Sequence, residues 1–364
     1  MRQTDNPSYI DLPLLTVVLM LCALSLIMLY SAGGENLDQI ARRSMHAGFS
    51  LVVLLVFTRI PPALLARWSP HAYAVGLALL LIVLAVGVIG KGAQRWIDLS
   101  VFRFQPAEIM KIAVPMMVAW SVTRSTLPPN PLFIILSILI VLIPTVLVIL
   151  QPDLGTGLLI ALAGIAVIFL AGIGRKFIVT MLLSLAVIVP AMWVFVLHDY
   201  QRSRVLTLFD PWADPLGRGY HVIQSIIAIG SGGVQGKGWL AGTQSQLEFI
   251  PEQRTDFIFA VYAEEFGLIG VIVLLTLYLF LVFRGLLIAF HARDTYSRLL
   301  AGGISTTFFF YVFVNMGMVS GILPVVGIPL PLMSYGGTSM VTLMIGFGIL
   351  MSIARDSRSR GWRR

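Results

Sequence analysis

Apolar residues come in blocks along this chain: windows of about 20 residues, the helical length that crosses a ~30 Å hydrocarbon core, recur from one end to the other. They predict spans near 13–31, 45–60, 71–90, 106–123, 131–150, 155–173, 176–197, 263–284, 299–323 and 336–354. That pattern predicts an all-α, polytopic membrane protein of about ten transmembrane helices, built as a single unit over residues 1–364. One long polar interval, about residues 198–262, interrupts the blocks and predicts a large loop outside the membrane.

An even number of spans puts both termini on one side. If that side is the cytoplasm, fourteen Lys and Arg residues, among them Arg59, Arg124, Arg284 and Arg355, lie on cytoplasmic segments. The short outer loops hold five, Arg42, Arg43, Lys91, Arg95 and Arg103, so the positive-inside rule predicts an extracytoplasmic long loop. The tail, Arg355 to Arg364, reads as a basic headgroup anchor.

Composition narrows the class. With 58% hydrophobic and 12% charged residues and a mean hydropathy of +0.91, the chain is no ordinary soluble globule. The net charge of +8 does not mark a nucleic-acid binder, because the arginines are scattered among spans; anionic lipid or a phosphorylated lipid substrate fits better. A single cysteine, Cys22 in the first span, leaves no disulfide framework and no thiolate metal site. That span lacks the form of a cleavable signal and is expected to stay in place.

Charged residues at membrane depth are the candidate chemistry. Glu108 and Lys111, spaced i to i+3, share one helix face as they enter the apolar layer. They read either as an ion pair gluing helices together or as the wall of a polar cavity. Asp153 stands at a helix start, where capping is the plain reading. Arg202 and Arg204 open the polar interval and have the planar fork that clamps phosphate oxygens; unspecific headgroup contact is the alternative. Glycines crowd residues 230–242 around Lys237, permitting close backbone approach to a ligand or marking a flexible loop.

Glu252, Arg254 and Asp256 stand directly against the apolar run from Phe257. Asp256 reads equally as a helix cap, worth about 1 kcal/mol, and as a reactive carboxylate. From Phe257 to Phe283 is about 40 Å as helix, longer than the core, which holds Glu264 and Glu265 near the headgroup level or draws them below it. The prolines Pro324, Pro329 and Pro331 rule out a continuous helix over 321–338, and broken backbone at membrane depth survives only inside protein or along a cavity. Asn315 is expected to face neighbouring helices.

Six stretches, Lys91 to Asp98, Gln105 to Lys111, Gln151 to Thr156, Gln201 to Val205, Thr243 to Ala260 and Leu323 to Gly337, resemble the signatures of the SEDS (shape, elongation, division and sporulation) family. Residues from Gly242 and from Met318 are similar to its elongation-specific members rather than its division-specific ones. The resemblance implies a peptidoglycan glycosyltransferase of the bacterial inner membrane that polymerises lipid II on the outer face. It also implies work with a class B penicillin-binding protein in the elongation machinery, and Asp256 as the essential residue. Physics makes that role sensible: an α-linked donor yielding a β-1,4 linkage requires inversion, so one carboxylate can take the acceptor hydroxyl proton while diphosphate leaves opposite. Arg202, Arg204 and Lys111 are candidates to stabilise the leaving diphosphate, with Glu108, Lys237 and Arg254 as further substrate contacts. No ligand motif demands a cofactor, although a divalent cation (Mg or Mn) could share that task. A lipid II flippase and a non-catalytic scaffold for the penicillin-binding protein are the competing classes.

Overall fold

The computed structural model describes residues 10–359 apart from 35, 91–92, 99–102, 196–198, 218, 248 and 251; Lys91, His198 and the last five residues of the basic tail lie outside them. A helix covers each of the ten predicted windows: α1 (Leu12–Ala32), α2 (Leu37–Arg59), α3 (Pro62–Val86), α4 (Pro106–Val122), α5 (Pro131–Leu150), α6 (Leu154–Leu170), α7 (Arg175–Phe195), α11 (Ile258–His291), α12 (Thr295–Val319) and α13 (Gly337–Ser359). Among the described residues seven are long and apolar enough to cross a membrane; α4 and α6, at 17 residues each, fall short of that length. On α5 the outward residues Leu136, Leu139 and Ile143 are apolar and exposed, while the small polar Ser137 turns inward.

Two windows are shifted. α2 begins at Leu37, capped by Asn36, whose side chain accepts from the Gln39 amide at 3.2 Å. Arg42 and Arg43 therefore lie within its first turns, and Arg43 is buried, not a loop cation. At the far end, Gly87 stops α3, and the residues counted as its tail form β1 (Val88–Gly90), which joins β2 (Ala93–Asp98) and β3 (Arg103–Phe104) in a small antiparallel sheet of order β1-β2-β3. A hydropathy window cannot separate a short Val-Ile strand from the end of an apolar helix.

The long polar interval is structured rather than loop. It folds into α8 (Asp199–Phe209), a 3₁₀ turn (Pro211–Ala213), α9 (Tyr220–Ser231) and α10 (Thr243–Gln246). α9 buries Val222, Ile223 and Ala228, and Ser225 donates to the carbonyl of Val319 at 2.7 Å, which ties it to the end of α12. At the opposite end of the bundle Asp11 caps α1 and accepts from Arg284 of α11 at 2.6 Å and Arg358 of α13 at 3.0 Å. These contacts put the start of the first helix and the end of the last at one face.

α11 is the long element, and it is broken. At Gly267 the backbone turns to φ 63°, ψ −163°, a region that is essentially reserved for glycine. The break strips partners from nearby peptide groups, and the glycine-rich loop replaces them. The amides of Lys237 and Gly238 donate to the carbonyls of Glu264 and Glu265 at 3.0 and 2.9 Å, while the Leu268 and Ile269 amides donate to Gly233 and Val234 at 2.9 and 3.1 Å. Gly233, Gly236 and Gly238 all have positive φ. The crowding of glycines thus serves close approach to the protein's own helix, because an added Cβ at Gly267 would overlap the amide nitrogen of Gly236. Gly267→Ala is expected to lose about 1–3 kcal/mol from backbone strain, with the steric overlap in addition. A lowered thermal unfolding midpoint in detergent checks it.

Candidate active site

Asp256 lies just before α11, one residue ahead of the N-cap position, which Phe257 holds. The half-buried carboxylate lines a cavity of about 380 Å³. Ser203, Arg204 and Thr207 of α8, His221 of α9, and Glu252 complete its polar wall, and the turn Leu323–Gly327 closes the far side. The pro-rich segment does leave helical geometry, and it does line a cavity, as broken backbone inside a membrane protein must.

Two side chains fix the Asp256 backbone. Asn315, fully buried on α12, donates to the Asp256 carbonyl at 2.9 Å and to the Ile328 carbonyl at 2.6 Å. Its predicted inward orientation is therefore a bridge between the two walls. Ser334 donates to the Thr255 carbonyl at 2.5 Å. Gly327, at φ 72°, presents its bare Cα to the site: a Cβ there would stand 3.5 Å from the Asp256 carboxylate. His221 stacks on Phe257 at 5.8 Å between ring centroids. Burial pushes its imidazole below the usual range, against a smaller upward pull from the Glu252 charge, so it is neutral near pH 7.

The structure sorts the other basic candidates by what they already hold. Arg202 donates from Nε and Nη2 to the carbonyls of Trp193 and Val194 at 2.8 and 2.9 Å, closing the end of α7. Arg254 does the same for α1, through Ala32 and Gly33 at 3.1 and 3.3 Å. Lys237 contacts the buried Glu264 at 2.7 Å and the Thr243 hydroxyl at 2.7 Å. Among the described residues none of the three lines the Asp256 cavity; of the two arginines expected to form a clamp, Arg204 lines it and Arg202 does not. Helix ends leave carbonyls without partners, and a nearby guanidinium is drawn to them.

Glu108 and Lys111 do pair, at 2.7 Å and both buried, and Lys111 also donates to the Tyr311 hydroxyl at 3.0 Å. They line a separate space of about 40 Å³, one turn along α12 from Asn315. Asp153 caps α6 by accepting from the Thr156 amide at 3.2 Å, and it also accepts from Gln105 at 2.8 Å, with Arg95 at 3.4 Å. Sequence reasoning missed His221, which stands 35 residues from Asp256 without a motif. Glu252 was marked only by proximity.

The sequence model of the FtsW, RodA and SpoVE cell cycle proteins matches residues 10–359. The chain belongs to the SEDS family. It is 51% identical over 358 residues to the peptidoglycan glycosyltransferase MrdB of Escherichia coli K12, covering 96% of this chain and 97% of that one. Stage V sporulation protein E of Bacillus subtilis is 33% identical over 361 residues, 96% and 98% of the two chains. Among solved structures, a chain of a peptidoglycan synthase complex that coordinates polymerisation and crosslinking superimposes with a TM-score of 0.84 at 33% identity, covering 96% and 98%. Rod shape determining protein RodA of Thermus thermophilus matches with a TM-score of 0.73 at 27% identity, also 96% and 98%. The SEDS fold thus extends over nearly the whole chain, and the Asp256 cavity lies within the matched region.

Proposed function

We propose that this SEDS protein is a peptidoglycan glycosyltransferase that polymerises lipid II in the inner membrane, with Asp256 as general base. The carrying observation is a half-buried carboxylate that shares one cavity with a guanidinium. In the reaction the acceptor 4-hydroxyl oxygen attacks the anomeric carbon of the donor, and its proton passes to Asp256. The bond from that carbon to the diphosphate breaks on the opposite face, inverting the α-linkage to β. Negative charge grows on the leaving diphosphate, where Arg204 meets it. Neutral His221 can donate one hydrogen bond and accept another at the sugar hydroxyls without adding charge.

The ten helices would all cross the bilayer in this reading, with both termini cytoplasmic and the cavity at the outer face, where the lipid-linked disaccharide is presented. The four helical pieces between α7 and α11 would form its roof and the docking side for a class B penicillin-binding protein. A divalent cation, if used, would share Glu252 and Asp256 with the substrate's own phosphates; among the described residues no three His, Cys, Asp or Glu side chains stand close enough together to hold one by themselves. A flippase has less support, since the intramembrane Glu108 and Lys111 are engaged with each other and with Tyr311.

The test is polymerisation of labelled lipid II by the purified protein with its partner, read as glycan length on a gel. Arg204→Lys keeps the charge and loses the planar fork, so kcat is expected to fall by about ten-fold or more while KM changes little. Normal turnover by that variant would remove Arg204 from the leaving-group role. Normal polymerisation by Asp256→Asn would remove the general base.

A further inference from the structure

Arg43 is the largest fully buried side chain among the described residues, 1% exposed in the first turns of α2, and the reaction above makes no use of it. A guanidinium at that depth is costly unless its donors are met, and here both Nη groups are met, mainly by one segment, while Nε has no partner. Nη2 donates to the Leu332 carbonyl at 2.6 Å and to the Ser25 hydroxyl at 3.1 Å; Nη1 donates to the Gly336 carbonyl at 3.3 Å. Ser25 in turn donates to the Met333 carbonyl at 2.7 Å, and Tyr278 to the Pro331 carbonyl at 2.7 Å. Residues 331–336 have no helix to satisfy their carbonyls, and Leu332 sits at φ 63°, strained for a leucine. Side chains from α1, α2 and α11 hold that shape, and Arg43 spans it from one end to the other.

The opposite edge of the same segment holds the catalytic loop. Ser334, locked by its own bond from the Leu330 amide at 2.6 Å, donates to the Thr255 carbonyl, and the Tyr335 amide donates to the Arg254 carbonyl at 2.8 Å. Arg254 and Thr255 immediately precede Asp256. From Arg43 to Asp256 the chain of contacts is therefore short: guanidinium, the carbonyls of 332 and 336, the donors of 334 and 335, then the peptide groups that aim the carboxylate. All of Arg43's Nη contacts are internal, so it is not a substrate contact.

We infer that Arg43 is a positioning residue: it fixes residues 332–336, and through them sets where the Asp256 carboxylate stands in the cavity. This rests on Asp256 acting as the base. A lysine at 43 keeps the charge but presents one ammonium, which cannot bridge carbonyls four residues apart in the fork geometry.

The experiment compares wild type, Arg43→Lys, Asp256→Glu, Asp256→Asn and the Arg43→Lys/Asp256→Glu double variant, each as full-length protein with its partner. Thermal unfolding gives the folded fraction, and labelled lipid II polymerisation gives kcat and KM. Arg43→Lys is expected to lower kcat per folded molecule at least about ten-fold with KM within about two-fold. In the Asp256→Glu background, where the carboxylate is already displaced, the same change should cost less than about two-fold. Equal losses in both backgrounds, or a loss that only tracks the folded fraction, would overturn the inference. Normal turnover by Arg43→Lys beside an inactive Asp256→Asn would sink it alone. Normal turnover by Asp256→Asn would remove the base and the inference together.

Discussion

Asp256→Asn is expected to lower lipid II polymerisation by at least about a hundred-fold, the contribution of a well-placed general base, while expression and thermal unfolding stay close to wild type. The amide has nearly the size of the carboxylate, so the packing against Gly327 is kept, and the peptide groups around residue 256 are held through backbone contacts to Asn315 and Ser334 that the substitution does not touch. What goes is the capacity to take a proton. Substrate binding, followed with labelled lipid II, should change little, since the loss belongs to the transition state. Glu252→Gln, across the same cavity and exposed, is expected to do less. A folded Asp256→Asn protein with wild-type turnover would move the base elsewhere, with Glu252 and His221 the other proton acceptors of the cavity.

The second large effect is on stability. Lys111→Met leaves Glu108 buried beside an apolar neighbour, and one of its oxygens already lacks a protein partner. Breaking a buried ion pair from one side costs roughly 3–5 kcal/mol, because the remaining charge has lost its counterion without regaining water. Glu108→Gln should be milder, since the amide can still accept from Lys111. The charge-swapped protein, Glu108→Lys with Lys111→Glu, is expected to recover both folding and turnover, as the pair lies outside the Asp256 cavity and Tyr311 can bond either group at position 111. Recovery of folding without turnover would instead make the positions of the charges part of substrate handling. Unfolding midpoints and glycan yield on the same preparations separate the two outcomes.

The spans and the Glu108–Lys111 pair were legible because both follow from local chemistry. A 20-residue apolar block has one low-energy fate in a bilayer, and an i to i+3 spacing fixes two side chains on one face whatever surrounds them. The Asp153 cap and the non-helical 321–336 segment are of the same kind, set by a carboxylate before a helix and by prolines within a few residues. Asp256 was legible as a candidate from its place at the edge of an apolar run, and the structure sets it in the wall of a cavity.

The partners of the other basic residues were not legible, and the reason is physical. An arginine's role is decided by which acceptors the fold leaves open near it. Arg202 and Arg254 stand beside helix ends whose carbonyls lack partners, so they close α7 and α1. Arg204, two residues from Arg202, points to the cavity because α8 turns it to another face. Lys237 was drawn to Glu264, a carboxylate 27 residues away that became buried when the loop filled the break in α11. Arg43 looked like an outer-loop cation until α2 began eight residues early and carried it under the pro-rich segment.

By itself, then, the sequence determined the membrane class, the helical blocks, the points where helix must stop and the carboxylates able to do chemistry, because each depends on neighbours within a turn or a bilayer thickness. Only the tertiary structure decided which of those charges meet. The break at Gly267, the loop that fills it, and the meeting of Arg204, His221 and Asp256 around one cavity join residues far apart in the chain. Their energies come from unmet backbone groups and buried charges finding partners across the bundle, and no local pattern encodes which partner will be in reach.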